Sequence, residues 1–93
     1  MDAIFCVSDR TAFGALQALK EANLRIPADV AVVGFDNVAQ SGHTVPTLTT
    51  VDVPKQAMGE IAIQRLYDLL TGRTAMPPVQ NILYTSLVVR DST

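Results

Sequence analysis

The sequence predicts an α/β fold, a parallel sheet with flanking helices, on three observations. Two short apolar runs, Ala3 to Val7 and Val30 to Phe35, each end abruptly in polar residues. The stretch between them carries apolar side chains at helical spacing, so strand, helix and strand follow one another within about 35 residues, the length of a βαβ unit with parallel strands and a right-handed crossover. The chain is also short and charge-poor: 93 residues, 48% hydrophobic and only 17% charged, against roughly 25% charged in an average soluble domain. That deficit implies more covered surface than so short a chain covers alone, so a piece of a larger domain, or an obligate oligomer, is expected.

The elements follow in order. Ala3-Ile4-Phe5-Cys6-Val7 suits a strand covered on both faces, and Ser8 or Asp9 can cap the helix that follows, since a short oxygen-bearing side chain accepts from the first free backbone N–H groups. From Arg10 to Ala22, Ala12, Leu16 and Leu19 form an apolar stripe that Phe13 and Ala15 broaden. Asn23 suits a left-handed stop, and Pro27 prevents continuation. Val30 to Phe35 is the second strand. The stretch 36–47 is polar and small, a loop, and Leu48 to Val53 is β-branched and extended. Pro54 fits the first turn of a second helix, which runs through Met58, Ile61, Ala62, Leu66 and Leu69 to Leu70 and stops at Gly72. Gly59 within it costs about 1 kcal/mol relative to alanine. Pro77-Pro78 marks a turn, and Ser86 to Arg90 a final strand. Three or four strands are fewer than a doubly wound sheet normally holds.

Charge and residue inventory exclude several function classes. Seven Lys and Arg against nine Asp and Glu give a net charge of −2. The cations Arg10, Lys20, Arg25, Lys55, Arg65, Arg73 and Arg90 are scattered singly, so the clustered positive charge that neutralises phosphates is missing and the chain by itself is not expected to grip DNA. A single cysteine, Cys6, allows no internal disulfide and reads as a small core residue. No apolar run approaches the roughly 20 residues of a membrane span, and Met1-Asp2-Ala3 lacks a basic n-region, so no signal peptide is expected. A cytoplasmic chain with no membrane partner is expected.

In open parallel sheets, ligands bind beyond the carboxyl ends of the strands. The βαβ reading places Ser8-Asp9 and Asp36-Asn37 on the same edge, where two carboxyl groups, a hydroxyl and an amide suit a hydroxyl-rich ligand such as a sugar or nucleoside. The competing reading makes Ser8 and Asp9 helix caps and Asp36 a turn residue. Catalysis has little support. His43 is the only histidine, and no Gly-x-Ser-x-Gly elbow surrounds Ser8. Metal-ligand spacing and a phosphate-cradling glycine loop are both missing. A non-enzyme without cofactor or metal is expected. Phe13 and Phe35 could stack on a ligand but are read as core packing residues.

Several of these segments resemble the lactose-repressor/galactose-repressor (LacI/GalR) family of bacterial transcription regulators. They are Ser8-Asp9-Arg10-Thr11-Ala12-Phe13-Gly14-Ala15-Leu16, then Ile26-Pro27-Ala28-Asp29-Val30-Ala31-Val32-Val33-Gly34-Phe35-Asp36-Asn37, then Pro46-Thr47-Leu48-Thr49-Thr50-Val51 and Ser86-Leu87-Val88-Val89-Arg90-Asp91-Ser92. They stand in the family's order across nearly the whole chain. The resemblance implies that residues 1–93 are the C-terminal part of an effector-binding domain with a type I periplasmic-binding-protein-like fold, a fragment of a two-lobe domain. Leu48 to Val53 would be a crossover, the helix after Pro54 would belong to the N-terminal lobe, and the DNA-reading domain and most of that lobe would lie outside the chain. A small-molecule effector and, through the absent domain, operator DNA are the implied partners.

Carried over residue by residue, Asp36 matches an aspartate that hydrogen-bonds effector hydroxyls, with Asn37 beside it on the rim. Ser8 stands at an effector-contacting asparagine, a contact that a shorter hydroxyl is expected to make through water. Asp9 matches an aspartate at the helix start, expected to be a structural cap. Val53 stands where some members have a polar cleft residue, which points to a different ligand subset. The resemblance further implies a homodimer or higher oligomer, formed through the helix bearing Phe13, Gln17 and Lys20 and the loop bearing Ala39, Ser41 and His43. With one wall of a cleft, the 93 residues alone are expected to bind an effector weakly. A periplasmic sugar-binding protein of a transporter is the alternative on the same fold.

Overall fold

The computed structural model describes residues 2–72 and 80–93, which fall into two units, one of residues 1–53 and 85–93 and one of residues 54–84. Among the described residues of the first unit are strands β1 (Ala3–Phe5), β2 (Ala31–Val33), β3 (Thr50–Asp52) and β4 (Ser86–Val88), helix α1 (Asp9–Glu21) and a single 3-10 turn at Ala39–Gly42; the second unit carries helix α2 (Lys55–Leu70).

The βαβ unit is present. β1 and β2 run parallel, with Ala3 opposite Ala31, Ile4 opposite Val32 and Phe5 opposite Val33. β3 extends the parallel arrangement through single bridges, Val33 to Thr49 and Asp36 to Asp52, where the Gly34 N–H donates to the Thr49 carbonyl at 2.9 Å and the Asp36 N–H to the Val51 carbonyl at 2.8 Å. The final strand departs from a purely parallel sheet: β4 is antiparallel to β3, with Val51 opposite Leu87. β3 and β4 thus form a two-stranded antiparallel sheet of their own, joined to the parallel β1–β2 pair by those single bridges. The strands are shorter than the apolar runs that foretold them, because the ladder gives way to loop-type bonds at both ends. One such place is Ser92, wholly buried, whose hydroxyl donates to the Val32 carbonyl at 2.6 Å and accepts from the Thr49 N–H at 2.8 Å. It satisfies backbone groups that no strand neighbour reaches.

The core takes up only part of the apolar runs: Phe5 and Val7 are 68% and 80% exposed, so β1 is not the strand covered on both faces that its run suggests. Cys6, Ala12, Leu16, Val32 and Leu48 form a buried cluster, with Ile4, Phe13, Ala15, Leu19 and Ile26 packed against it. Helix α1 thus lays its expected stripe on the sheet. Phe35 is a correction: it is 36% exposed and stands outside this cluster, its side chain lying on the face opposite the buried Gly34 as the chain continues beside β3. Asn23, expected as the left-handed stop, has φ of 60°.

In the second unit, α2 begins one residue after Pro54, which occupies the N-cap position without a side-chain cap bond rather than the first turn. Glutamines stabilise it along one side, Gln56 donating to Glu60 at 3.1 Å and Gln64 to Asp68 at 3.0 Å, pairs one helical turn apart. It ends as expected at Gly72, whose φ of 70° is a left-handed conformation that glycine adopts without strain. None of its residues is buried. The turn expected at Pro77-Pro78 lies outside the described residues.

Candidate functional site

The carboxyl ends of β1 and β2 place Ser8-Asp9 beside Phe35–Val38. Parallel pairing sets these two tips level, and two bonds hold them together. The Asp9 N–H donates to the Phe35 carbonyl at 3.0 Å, and the Val38 N–H donates to Asp9 Oδ2 at 2.9 Å.

Ser8 is the helix cap. Its Oγ accepts from the Thr11 N–H at 3.3 Å and lies 3.2 Å from the Thr11 hydroxyl, while the residue remains half-buried at the rim. Asp9 is therefore not the cap it was expected to be. It is wholly buried, and besides Val38 it accepts from the Thr50 hydroxyl, so it ties the start of α1 to the loop after β2 and to β3. Gly34 is what admits this carboxyl group. A Cβ there would overlap Asp9 Oδ1 and stand 2.9 Å from Leu48 Cδ2.

Asp36 and Asn37 both hold positive φ, 126° and 55°, a conformation that short polar side chains tolerate better than others and that costs on the order of 1–3 kcal/mol per residue. Three consecutive N–H groups hold them there. Asp36 donates to the Val51 carbonyl at 2.8 Å, Asn37 to Thr50 Oγ1 at 3.2 Å, and Val38 to Asp9 as above. The Asn37 carboxamide is engaged at both ends. Its Nδ2 donates to Asp52 at 3.0 Å, and its Oδ1 accepts from Ser41 at 3.2 Å and from Arg90 Nη2 at 2.9 Å. Asp36 is half-buried and bridged to Asp52, and Val53, the residue after β3, is half-buried as well. The arrangement sets a hydroxyl and a carboxyl group on a braced edge, which equips it to hold hydroxyl hydrogens and exchange donors with a polar solute.

The residues expected to meet a second chain are divided by the structure. Phe13, Gln17 and Lys20 of α1 line a groove of about 460 Å³ together with Gln40 and Val45, and Ala39 and His43 are exposed on the loop. Ser41 is a correction: it is wholly buried, donating to the Val38 carbonyl at 2.7 Å and accepting from Arg90 Nη1 at 2.9 Å, so it serves the interior of the loop. Sequence reasoning missed Thr50, Asp52 and Arg90. Thr50 and Asp52 read as strand residues and Arg90 as a scattered cation ending the last strand, none with a role at the site, and their partners lie 13 to 53 residues away in the chain. Burial raises the Cys6 thiol above its ordinary value, consistent with an inert core position. No helix among the described residues is long and apolar enough to cross a membrane.

A family model described as a periplasmic binding protein-like domain matches residues 1–93. The transcriptional regulator CelR of Thermobifida fusca is 40% identical over 92 residues, 99% of this chain and 27% of that protein. The transcriptional repressor PurR of Erwinia tasmaniensis is 39% identical over 90 residues, 97% of this chain and 26% of its length. Among solved structures, a CelR–cellobiose complex superposes with a TM-score of 0.95, covering 100% of this chain and 28% of that one at 40% identity. A dimeric Lac repressor gives 0.89 at 34% identity, covering 99% and 33%. The chain thus spans about a quarter of the length of the curated relatives it matches. With the whole chain matched by the domain model and a paired, braced strand edge where the resemblance requires one, this chain belongs to the LacI/GalR family and carries part of its periplasmic-binding-protein-like domain.

Proposed function

We propose that this chain is the effector-binding and dimer-forming portion of a cytoplasmic bacterial transcription regulator, in which a small hydroxyl-rich ligand, a sugar or a nucleoside, modulates DNA binding by residues outside these 93. The observation that carries the reading is the parallel pairing of β1 with β2, which brings Ser8 and Asp36 to one edge. Asp36 would accept ligand hydroxyls, Ser8 would reach the ligand through water, and Asn37 and Val53 would shape the floor. The protein would act without catalysis. A ligand that prefers one arrangement of the domain shifts the population toward it, and only that difference in affinity can alter the spacing of DNA-binding parts. The relatives named above are regulators, which favours this reading over a transporter component of the same fold.

A thermal-shift panel of mono- and disaccharides and nucleosides, cellobiose included, tests it, with Asp36→Asn alongside the native chain. A saturable response in the millimolar range to one chemical class, weakened about tenfold or more in Asp36→Asn, is expected, as loss of a hydrogen-bonded charged acceptor carries that magnitude. No response to any member, or a response that Asp36→Asn leaves unchanged, would contradict it.

A further inference from the structure

The Arg90 guanidinium holds three points of the stretch 37–48, which lies 42 to 53 residues before it in the sequence. Nη2 donates to Asn37 Oδ1 at 2.9 Å, and Nη1 donates to Ser41 Oγ at 2.9 Å and to the Leu48 carbonyl at 2.8 Å. Its own backbone is fixed, since the Arg90 N–H donates to Thr49 Oγ1 at 2.8 Å. A planar fork with five donors can serve three acceptors in one plane. An ammonium on a flexible stem reaches one of them as a point charge. The acceptors are the side chain of the positive-φ residue next to Asp36, the buried hydroxyl of the 3-10 turn and the backbone just before β3.

From this geometry we infer that Arg90 is the positioning residue of the turn that presents Asp36. By holding the Asn37 carboxamide against the entry to β3, it fixes Asp36 and Asn37 in their positive-φ conformation and joins that turn to the Ala39–Gly42 loop. The inference deepens the functional reading above and rests on it for the role of Asp36. The bracing itself is a property of the free chain. Three of the five Arg90 donors are spent on the protein, at Asn37, Ser41 and Leu48.

Amide hydrogen exchange on the ¹⁵N-labelled full chain, without ligand, tests it. In Arg90→Lys the backbone amides of Asn37, Val38 and Ser41 and the Asn37 side-chain amide should exchange about tenfold faster, the effect of losing charge-assisted bonds at one place. The Cys6 and Gly34 amides, bonded to the Val33 and Thr49 carbonyls, should change by less than about twofold, because strand pairing is left intact. Asn37→Gly keeps the positive φ at no steric cost and removes only the carboxamide. It should speed exchange at Val38 and Ser41 in the same way, and it decides the matter if Arg90→Lys does not fold. Unchanged exchange at the turn, or equal acceleration at Cys6 and Gly34, would overturn the assignment. The saccharide and nucleoside panel is read separately. A turn that loosens in Arg90→Lys in a chain indifferent to every ligand supports the bracing and contradicts the functional reading.

Discussion

A carboxyl group with no solvent exposure has to find donors inside the protein, and Asp9 finds one on each oxygen, the Val38 N–H and the Thr50 hydroxyl. Asp9→Asn keeps one acceptor and turns an NH₂ toward a donor, so it should destabilise the chain by about 1–3 kcal/mol, read from the urea midpoint. A loss below about 0.5 kcal/mol, the range of an ordinary surface change, would mean the tie is unimportant. Gly34→Ala tests the same contact from the other side. The new methyl overlaps Asp9 Oδ1 and should cost about 1–3 kcal/mol by overpacking. A different carboxyl group offers a pH test. The Arg25 guanidinium and backbone N–H beside Asp29 pull its pKa from 3.8 to about 2, with Arg25 Nη2 2.8 Å from Asp29 Oδ1. Because the folded value is lowered, the pairing contributes above the unfolded value near 3.8 and is lost as the pH falls toward 2. A carbon-13 titration of the Asp29 carboxyl group should show a midpoint well below 3.8, rising toward it in high salt because the pair is exposed. A low-salt midpoint at or above 3.8 would contradict the pairing. At this scale the sequence shows which residues are polar at the rim and not what they touch. Asp9 reads as a cap because caps are local, and its actual partners are 29 and 41 residues away.

Helix α1 is the element most legible in advance. Its stripe, its cap and its left-handed stop are all local signals, and each is found where the spacing puts it. Leu16 at 3% exposure should cost about 2–5 kcal/mol when changed to Ala, from lost burial and the cavity left behind. Ser8→Ala should cost about 1 kcal/mol through the cap. Ser8→Asn, which retains a capping oxygen, should be near neutral in stability, and denaturation curves of the three variants check the ranking. A Ser8→Asn loss equal to that of Ser8→Ala would show that the cap is not what Ser8 contributes. Strands were legible as elements but not in their direction. An apolar run records burial and is silent on whether its neighbour runs parallel, so the parallel β1–β2 pair followed from the crossover rule while the antiparallel β4 followed from no local signal. The buried Ser41 is a further case. A small polar residue in a loop reads as surface until Arg90, 49 residues on, is seen to reach it.

At the scale of the whole molecule, the low charge fraction and the groove beside Phe13, Gln17 and Lys20 support association. Sedimentation of the chain should show dimers or larger forms that Val45→Asp, at an exposed residue of that groove, shifts toward monomer by placing a charge in an apolar contact. A native monomer with a cooperative melt would count against the contact. The central claim concerns the edge formed by β1 and β2, and chemical-shift mapping of the ¹⁵N-labelled chain during titration with the active member of the ligand panel tests it most directly. The amides of Ser8, Asp36 and Asn37 should move together along one saturating curve that Asp36→Ala abolishes. Perturbations confined to the groove around Gln40 and Val45, or spread without focus over α2, would contradict the claim.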